Sequence, residues 1–178
     1  SDLVLLDLDQ RRAAGEAMDI SHSIAFSQPC RVRSGSYDDL ADAALVIISA
    51  GVNQKPGETR LQLLERNAAV LRSIIREVVR VCPDTILLVV SNPVDLLTDI
   101  ARRLSGFPPC RVIGSGTVLD TARLKYLLGR ELGVDGRNVH AFIIGEHGDS
   151  ELPVWSSANI SGIDLDDYCA GRNIQPDY

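Results

Sequence analysis

Four runs of mostly branched apolar residues, Leu3 to Leu6, Ala44 to Ile48, Ile86 to Val90 and Val139 to Ile144, alternate with longer amphipathic stretches. Continuous apolar runs of this length suit strands of a parallel sheet buried on both faces. A shorter run of the same kind lies at Arg111 to Ile113. Between the runs, Leu61, Leu64, Ala68, Leu71, Ile75 and Val78 recur at three- and four-residue spacing. That stripe predicts a helix over Thr59 to Val81, with Pro83 just beyond its end. A second helix is predicted over Thr117 to Leu132, closed by Gly133. Strands alternating with helices predict an α/β fold around a parallel sheet. Gly51 to Gly57 reads as a loop. The polar stretch from Ser161 to Tyr178 has little periodicity and reads as an irregular, interrupted tail.

Composition narrows the class further. A chain of 178 residues with 45% hydrophobic content can bury a sizeable core, as one domain or one domain plus part of another. The net charge of -6 argues against a nucleic-acid or anionic-membrane partner. No apolar run approaches the roughly 20 residues a membrane helix requires. Cys30, Cys82, Cys110 and Cys169 are widely separated and form no metal-ligand pattern. Reduced thiols in a cytoplasmic protein are the simpler reading. Glu146-His147 does not extend to HExxH, so a metalloprotease site is excluded and no metal is expected.

The residues that carry chemistry begin with His147, between Gly145-Glu146 and Gly148-Asp149 after an apolar run. Histidine exchanges a proton near neutral pH, although a plain loop histidine has the same local context. Asp120 and Arg123 are three apart on the second helix, hence on one face. Thr117-x-x-Asp120 reads as a capping-box-like start, and Asp120 with Arg123 as an intrahelical ion pair. The functional alternative pairs Asp120 with an imidazole and Arg123 with a substrate carboxylate. Asp7, ending the first strand, is either a solvated carboxylate or an acceptor for the ribose hydroxyls of a dinucleotide. Gly51 is either a turn glycine or a place where a flat ring or phosphate approaches the backbone. Gln54 and Arg60 flank a Pro56-Gly57 turn. Arg60 falls in a helix first turn, where a cation opposes the helix dipole and invites a functional explanation. Asn92-Pro93-Val94-Asp95 follows a strand at its carboxyl end, where open α/β sheets place ligands.

In this order the pieces resemble the L-2-hydroxy-acid dehydrogenases of the lactate/malate dehydrogenase superfamily, most closely the bacterial-type L-lactate dehydrogenases. The resemblance rests on Gly51-Val-Asn-Gln-Lys-Pro-Gly-Glu-Thr-Arg60, Ser91-Asn-Pro-Val-Asp95, Val112-Ile-Gly-Ser-Gly-Thr-Val-Leu-Asp-Thr-Ala-Arg123 and Ile144-Gly-Glu-His-Gly-Asp149. It implies an NAD-dependent enzyme interconverting pyruvate and L-lactate, with His147 as proton donor and acceptor and Asp120 orienting it. It assigns the substrate carboxylate to Arg123, carbonyl polarisation to Arg60, and help in placing the reacting oxygen to Asn92. Asp7, Arg12, Tyr37, Gly51, Val52, Ser73, Val90, Asn92 and Ser115 are implied near the cofactor. Malate dehydrogenases carry arginine at the position of Gln54. Glutamine offers no charge to a second carboxylate, so pyruvate is favoured over oxaloacetate. Bacterial members bind fructose 1,6-bisphosphate at a subunit interface through an arginine and a histidine. His140 matches the histidine, while Lys125 keeps the other charge without its fork. A homo-oligomer, dimer or tetramer, is implied for the full-length enzyme.

The sequence departs from the family at both ends. The implied fold is an incomplete Rossmann-type parallel sheet over residues 1–116, without the first strand and its glycine loop. Residues 117–178 then begin an α+β substrate domain. In the strand order 3-2-1-4-5-6 the absent strand is central, which predicts a one-strand gap between the Leu3 and Ala44 strands. Such a portion alone is expected to bind NAD poorly and turn over little. Two alternatives are a malate dehydrogenase and a non-catalytic protein on the same scaffold.

Overall fold

The computed structural model describes residues 1–53, 55–172 and 174, with the backbone alone for Arg60. The chain divides into two compact units. The first comprises Ser1–Ser91 and Leu97–Ile113, and the second Asn92–Leu96 and Gly114–Tyr178.

The first unit is built from strand–helix–strand repeats. β1 (Asp2–Leu5), α1 (Gln10–Ser23) and β2 (Arg31–Ser34) form one repeat, with β1 and β2 parallel and Leu3 opposite Val32. Next come β3 (Leu45–Ile48), α2 (Arg60–Val81) and β4 (Ile86–Val89), with β3 and β4 parallel and Val46 opposite Leu87. α3 (Val94–Ser105) leads to β5 (Val112–Gly114), which extends the ladder in the order β3-β4-β5. The stripe predicted for α2 points inward: Leu71, Ile75 and Val78 pack with Leu87, Val89, Leu97, Ala101 and Val112 in one core. Thr59 caps α2 reciprocally, its side chain accepting from the Gln62 amide while the Gln62 side chain accepts from the Thr59 amide.

The parallel strands lie where the apolar runs predict, but they are not buried on both faces throughout. Leu3 is 39% exposed, Leu45 47% and Ile47 55%. β1 pairs with β2 and β3 pairs with β4, but among the described residues no strand joins β1 to β3. Both strands therefore keep an unpaired backbone edge, and the exposed Leu45 and Ile47, two apart on β3, share one open face of the strand. The interruption falls where the resemblance places a one-strand gap.

Among its described residues the second unit contains α4 (Val118–Leu132), five two-residue strands and α5 (Leu165–Gly171). Here the sequence reading needs correction. The run from Val139 to Ile144 is not one buried parallel strand. It splits into β6 (Val139–His140) and β7 (Ile143–Ile144), which enter different antiparallel ladders. β7 pairs with β8 (Leu152–Pro153), while β6 pairs with β9 (Asn159–Ile160), which pairs in turn with β10 (Ile163–Asp164). Between β6 and β7 the chain changes ladder at Ala141-Phe142, so Val139 and Ala141 are buried while Phe142 and Ile144 are exposed. The tail also holds more order than its polarity suggests. Asp164 caps α5 by accepting from the Asp166 amide, and Leu165 and Cys169 join Leu132, Val139, Ala158 and Ile160 in a second core. A seven-residue helix is too short to show a clear apolar period, which is why the tail reads as irregular. Asn173 and residues 175–178 lie outside the described residues.

α4 carries a glycine where the usual rule reverses. In a helix interior, Gly to Ala ordinarily stabilises by about 0.5–1 kcal/mol. At Gly129 a Cβ would stand 2.9 Å from the Val134 carbonyl oxygen and 3.0 Å from the Gly136 nitrogen, both backbone atoms. The turn after α4 must therefore move to admit a methyl group. Gly129→Ala is expected to destabilise by about 1–3 kcal/mol. A lowered urea midpoint checks this, and a raised one would show that the turn yields freely.

Candidate active site

Two threonines on α4 hold the strand that leads to His147. The Thr117 hydroxyl donates to the Ile143 carbonyl at 2.6 Å, and the Ile143 amide donates to Thr121 Oγ1 at 3.0 Å. This corrects the capping-box reading of Thr117-x-x-Asp120: Thr117 is the N-cap residue, but its side chain makes no capping bond. Its hydroxyl reaches β7 instead. The end of β7 is thereby fixed beside the first turns of α4, where Asp120 sits.

After β7 the chain turns at Gly145, whose φ of +97° favours glycine, and delivers His147. His147 Nδ1 lies 2.5 Å from Asp120 Oδ2. A carboxylate only accepts, so Nδ1 carries the hydrogen and Nε2 is left to exchange a proton. Asp120 is 7% exposed, and its other oxygen accepts from Arg123 Nη1 at 3.1 Å. The Arg123 side chain is 64% exposed, leaving donors of its fork for an anion. Burial alone raises the Asp120 carboxyl, but the hydrogen bond and charge of His147, with Arg123, outweigh it and hold Asp120 below the usual carboxylate value.

The sign for stability follows. A depressed folded-state value means that the ionised Asp120 contributes stability above the ordinary carboxylate pKa, lost as pH falls through the depressed one. Asp120→Asn is therefore expected to lose less stability than the parent chain on going from pH 7 to below about 4. Urea midpoints of both proteins at the two pH values check this. Equal losses would show that Asp120 does not contribute to the acid sensitivity.

A residue that the sequence reading gave no separate role completes the geometry. Asp95, in the first turn of α3 and part of the second unit, accepts the His147 amide at 3.0 Å through Oδ2. One carboxylate thus fixes the ring and another the peptide that carries it. The Asn-Pro-Val-Asp motif contained this residue, but no periodicity links positions 52 apart in sequence. The Asn92-Pro93 peptide is cis and Asn92 is exposed. Ser115 is half-buried, with its carbonyl accepting from the Val118 amide. Lys125 is half-buried on α4, and His140 is exposed on β6.

In the first unit, the end of β1 borders a cavity of about 320 Å³. Leu5, Leu6 and Asp7 line it with Arg12, Ala13 and Glu16 of α1 and Ser49 beyond β3. Its size lies at the lower end of small-molecule sites, about 300–1,000 Å³. Asp7 Oδ1 accepts from the Asp9 amide at 2.9 Å, and Asp9 caps α1 through the Arg11 and Arg12 amides. The α1 N-terminus and the carboxylate are therefore locked together. Beyond β3, the Val52 amide donates to the buried Asn67 side chain at 2.8 Å, and a Cβ on Gly51 would stand 3.2 Å from the same oxygen. Asn67 is a polar residue on an apolar helix face that the sequence reading passed over. Tyr37 packs against the first core, where burial and then the charge of Glu77 raise its phenol. Ser73 is exposed on α2 and donates to the Val70 carbonyl, while Val90 is 40% exposed. Gln54 and the Arg60 side chain lie outside the described residues.

Residues 1–114 match the family model for the NAD-binding domain of lactate/malate dehydrogenases, and residues 117–177 match the model for their alpha/beta C-terminal domain. The chain belongs to the lactate/malate dehydrogenase family. L-lactate dehydrogenase 1 of Clostridium acetobutylicum is 54% identical over 169 residues, covering 95% of this chain and 54% of the relative. The L-lactate dehydrogenase of Acetivibrio thermocellus is 55% identical over the same length, covering 95% and 53%. Among solved structures, a lactate dehydrogenase from a Medee basin deep-sea metagenome library superimposes with a TM-score of 0.89 at 50% identity, covering 96% of this chain and 55% of that one. The minor L-lactate dehydrogenase of Enterococcus mundtii, in a ligands-bound form, gives 0.87 at 46% identity, covering 95% and 54%. The chain spans about half the length of the curated relatives it matches. The α/β architecture is that of the family, with a Rossmann-like first part.

Proposed function

We propose that this chain carries the proton-transfer machinery of an NAD-dependent L-lactate dehydrogenase. The observation that supports this best is the His147–Asp120 pair, with Arg123 on the outer oxygen of the same carboxylate. The cavity at the end of β1 suits a dinucleotide's adenosine ribose: Asp7 offers an acceptor for its hydroxyls and would repel a 2′-phosphate. Arg12, Tyr37, Gly51, Val52, Ser73, Val90, Asn92 and Ser115 are the remaining residues assigned to the cofactor by resemblance. NAD, when bound, supplies or accepts the hydride.

The chain's own residues do the rest. Arg123 grips the carboxylate of a 2-oxo acid through its free donors. His147 Nε2 gives its proton to the oxygen that becomes the hydroxyl, and takes it back in the reverse direction. Asp120 stabilises the imidazolium that makes this possible, and Asp95 keeps the ring from drifting. Arg60 and Asn92 are assigned to the reacting oxygen and Gln54 to excluding a second carboxylate, which favours pyruvate over oxaloacetate. A homo-oligomer, a cytoplasmic location and a fructose 1,6-bisphosphate site at Lys125 and His140 complete the proposal. The location draws support from four free cysteines. No helix of the described residues is long and apolar enough to cross a membrane.

The test is NADH oxidation with pyruvate against oxaloacetate. It uses this chain and a chimera in which the segments beyond the match come from the Clostridium acetobutylicum relative. Pyruvate-selective turnover in the chimera, and little from the chain alone, is the expected result. Preference for oxaloacetate would favour a malate dehydrogenase, and an inactive but folded chimera a non-catalytic scaffold.

A further inference from the structure

The β7–β8 hairpin returns the chain beside His147 and brings a third ionisable side chain with it. Ile144 pairs with Leu152, the Glu151 amide donates to the Gly148 carbonyl at 3.1 Å, and the Ser150 hydroxyl donates to the Glu146 carboxylate at 3.1 Å. These bonds set Glu151 across the turn. One ligand atom each from Asp120, His147 and Glu151 then lies within 4.8 Å of the others. Asp120 is buried, while His147 and Glu151 are half-buried. Asp120 is engaged by His147 and Arg123, but the Glu151 carboxylate has no hydrogen-bond or ion-pair partner among the described residues. A half-buried carboxylate thus lies within 4.8 Å of an imidazole nitrogen and a second carboxylate oxygen.

We propose that Asp120, His147 and Glu151 form a binding site for a divalent transition cation of the zinc type, and that its occupancy blocks proton transfer. One imidazole and two carboxylates make a borderline nitrogen and oxygen ligand set, suited to Zn²⁺ or Co²⁺ with water completing the shell. Ligand bonds of about 2.0–2.2 Å put tetrahedral ligands about 3.4 Å apart, so the cluster must close by about 1.4 Å at its widest. Glu151, half-buried and with no hydrogen-bond or ion-pair partner for its carboxylate among the described residues, is the side chain that can move. Arg123 opposes the cation from the far side of Asp120, but its largely exposed guanidinium can turn into solvent. A cation shared by His147 and Asp120 needs a ring nitrogen without its hydrogen, so binding releases a proton to solvent and replaces the hydrogen bond from Nδ1 to Asp120, and the proton relay is lost with it. This inhibitory consequence rests on the proposed dehydrogenase reading, whereas the binding does not.

Co²⁺ is the probe for binding, because tetrahedral cobalt is coloured and thiolate ligation adds a distinct charge-transfer band. The chain carries Cys30 and Cys110 outside its cores, so both are replaced by serine in the background used for every sample. Titration with Co²⁺ is expected to give a tetrahedral spectrum without the thiolate band, abolished by one equivalent of Zn²⁺. Glu151→Gln is expected to weaken Co²⁺ binding at least tenfold while leaving the circular dichroism spectrum and thermal midpoint unchanged. His147→Gln is expected to weaken it as much. Binding unaltered by Glu151→Gln, a thiolate spectrum, or no binding at millimolar Co²⁺ would overturn the site. In the chimera, Zn²⁺ is expected to inhibit reversibly, and Glu151→Gln to relieve inhibition, read within each protein as the ratio of turnover with and without Zn²⁺. Inhibition equal in both proteins would overturn the inhibitory role. A chimera without activity would count against the dehydrogenase reading and leave the spectra to decide the site.

Discussion

His147→Gln is expected to lower the pyruvate turnover of the chimera by about 10²–10⁴-fold while NADH binding stays within twofold, because it removes a general acid alone. Glutamine keeps polarity and roughly the volume, yet its amide cannot exchange a proton near neutral pH. Asp120→Asn is expected to fall nearly as far. An asparagine amide can donate where a carboxylate accepts, so it favours the imidazole tautomer with its hydrogen on Nε2 and removes the charge that stabilises an imidazolium. The two groups act through one hydrogen bond of 2.5 Å. The double variant should therefore be little worse than either single one. Single-turnover and steady-state kinetics of the three variants check this. Losses that multiply would mean that Asp120 acts on something other than His147.

The comparison of these two residues also shows how far the sequence was readable. His147 was singled out by residue type and its place after an apolar run, Asp120 by its place on the second helix beside Arg123, and both by resemblance, and the structure brings them together. The helix α2 was legible because its apolar spacing runs over several turns, and a wrong residue or two does not blur a period that long; α4 was legible at its end, where Gly133 takes the left-handed cap conformation. Thr117 was misread because a hydroxyl at a helix start has two uses, capping and long-range donation, which leave the same local signature. Asp95 carried no local signal at all, since its partner is an amide 52 residues away. The Val139 to Ile144 run failed for another reason. Two-residue strands that change ladder are set by tertiary pairing, and a continuous apolar run cannot record where the pairing switches.

Leu87→Ala is expected to cost about 2–5 kcal/mol, the range for a leucine removed from a packed core. Leu87 is 0% exposed on β4, flanked by β3 and β5, and belongs to one core with Ile75, Val78 and Leu97. Its neighbours are branched side chains on regular backbone, which relax little into a vacancy. A domain's stability is about 5–15 kcal/mol, so this one change removes a large part of it. The contrasting change is Ile47→Ala on β3. Ile47 is 55% exposed, so little of its surface is lost from a packed environment. Its cost should stay below about 1 kcal/mol, mostly lost strand propensity and partial burial. The two residues are both aliphatic, on adjacent strands of one ladder, and differ chiefly in what covers them. Urea unfolding of the chain followed by circular dichroism reads both. A large cost at Ile47 would mean that this face of β3 is covered in solution, by a second copy or by a rearranged segment of the chain, and a concentration-dependent midpoint would separate the two.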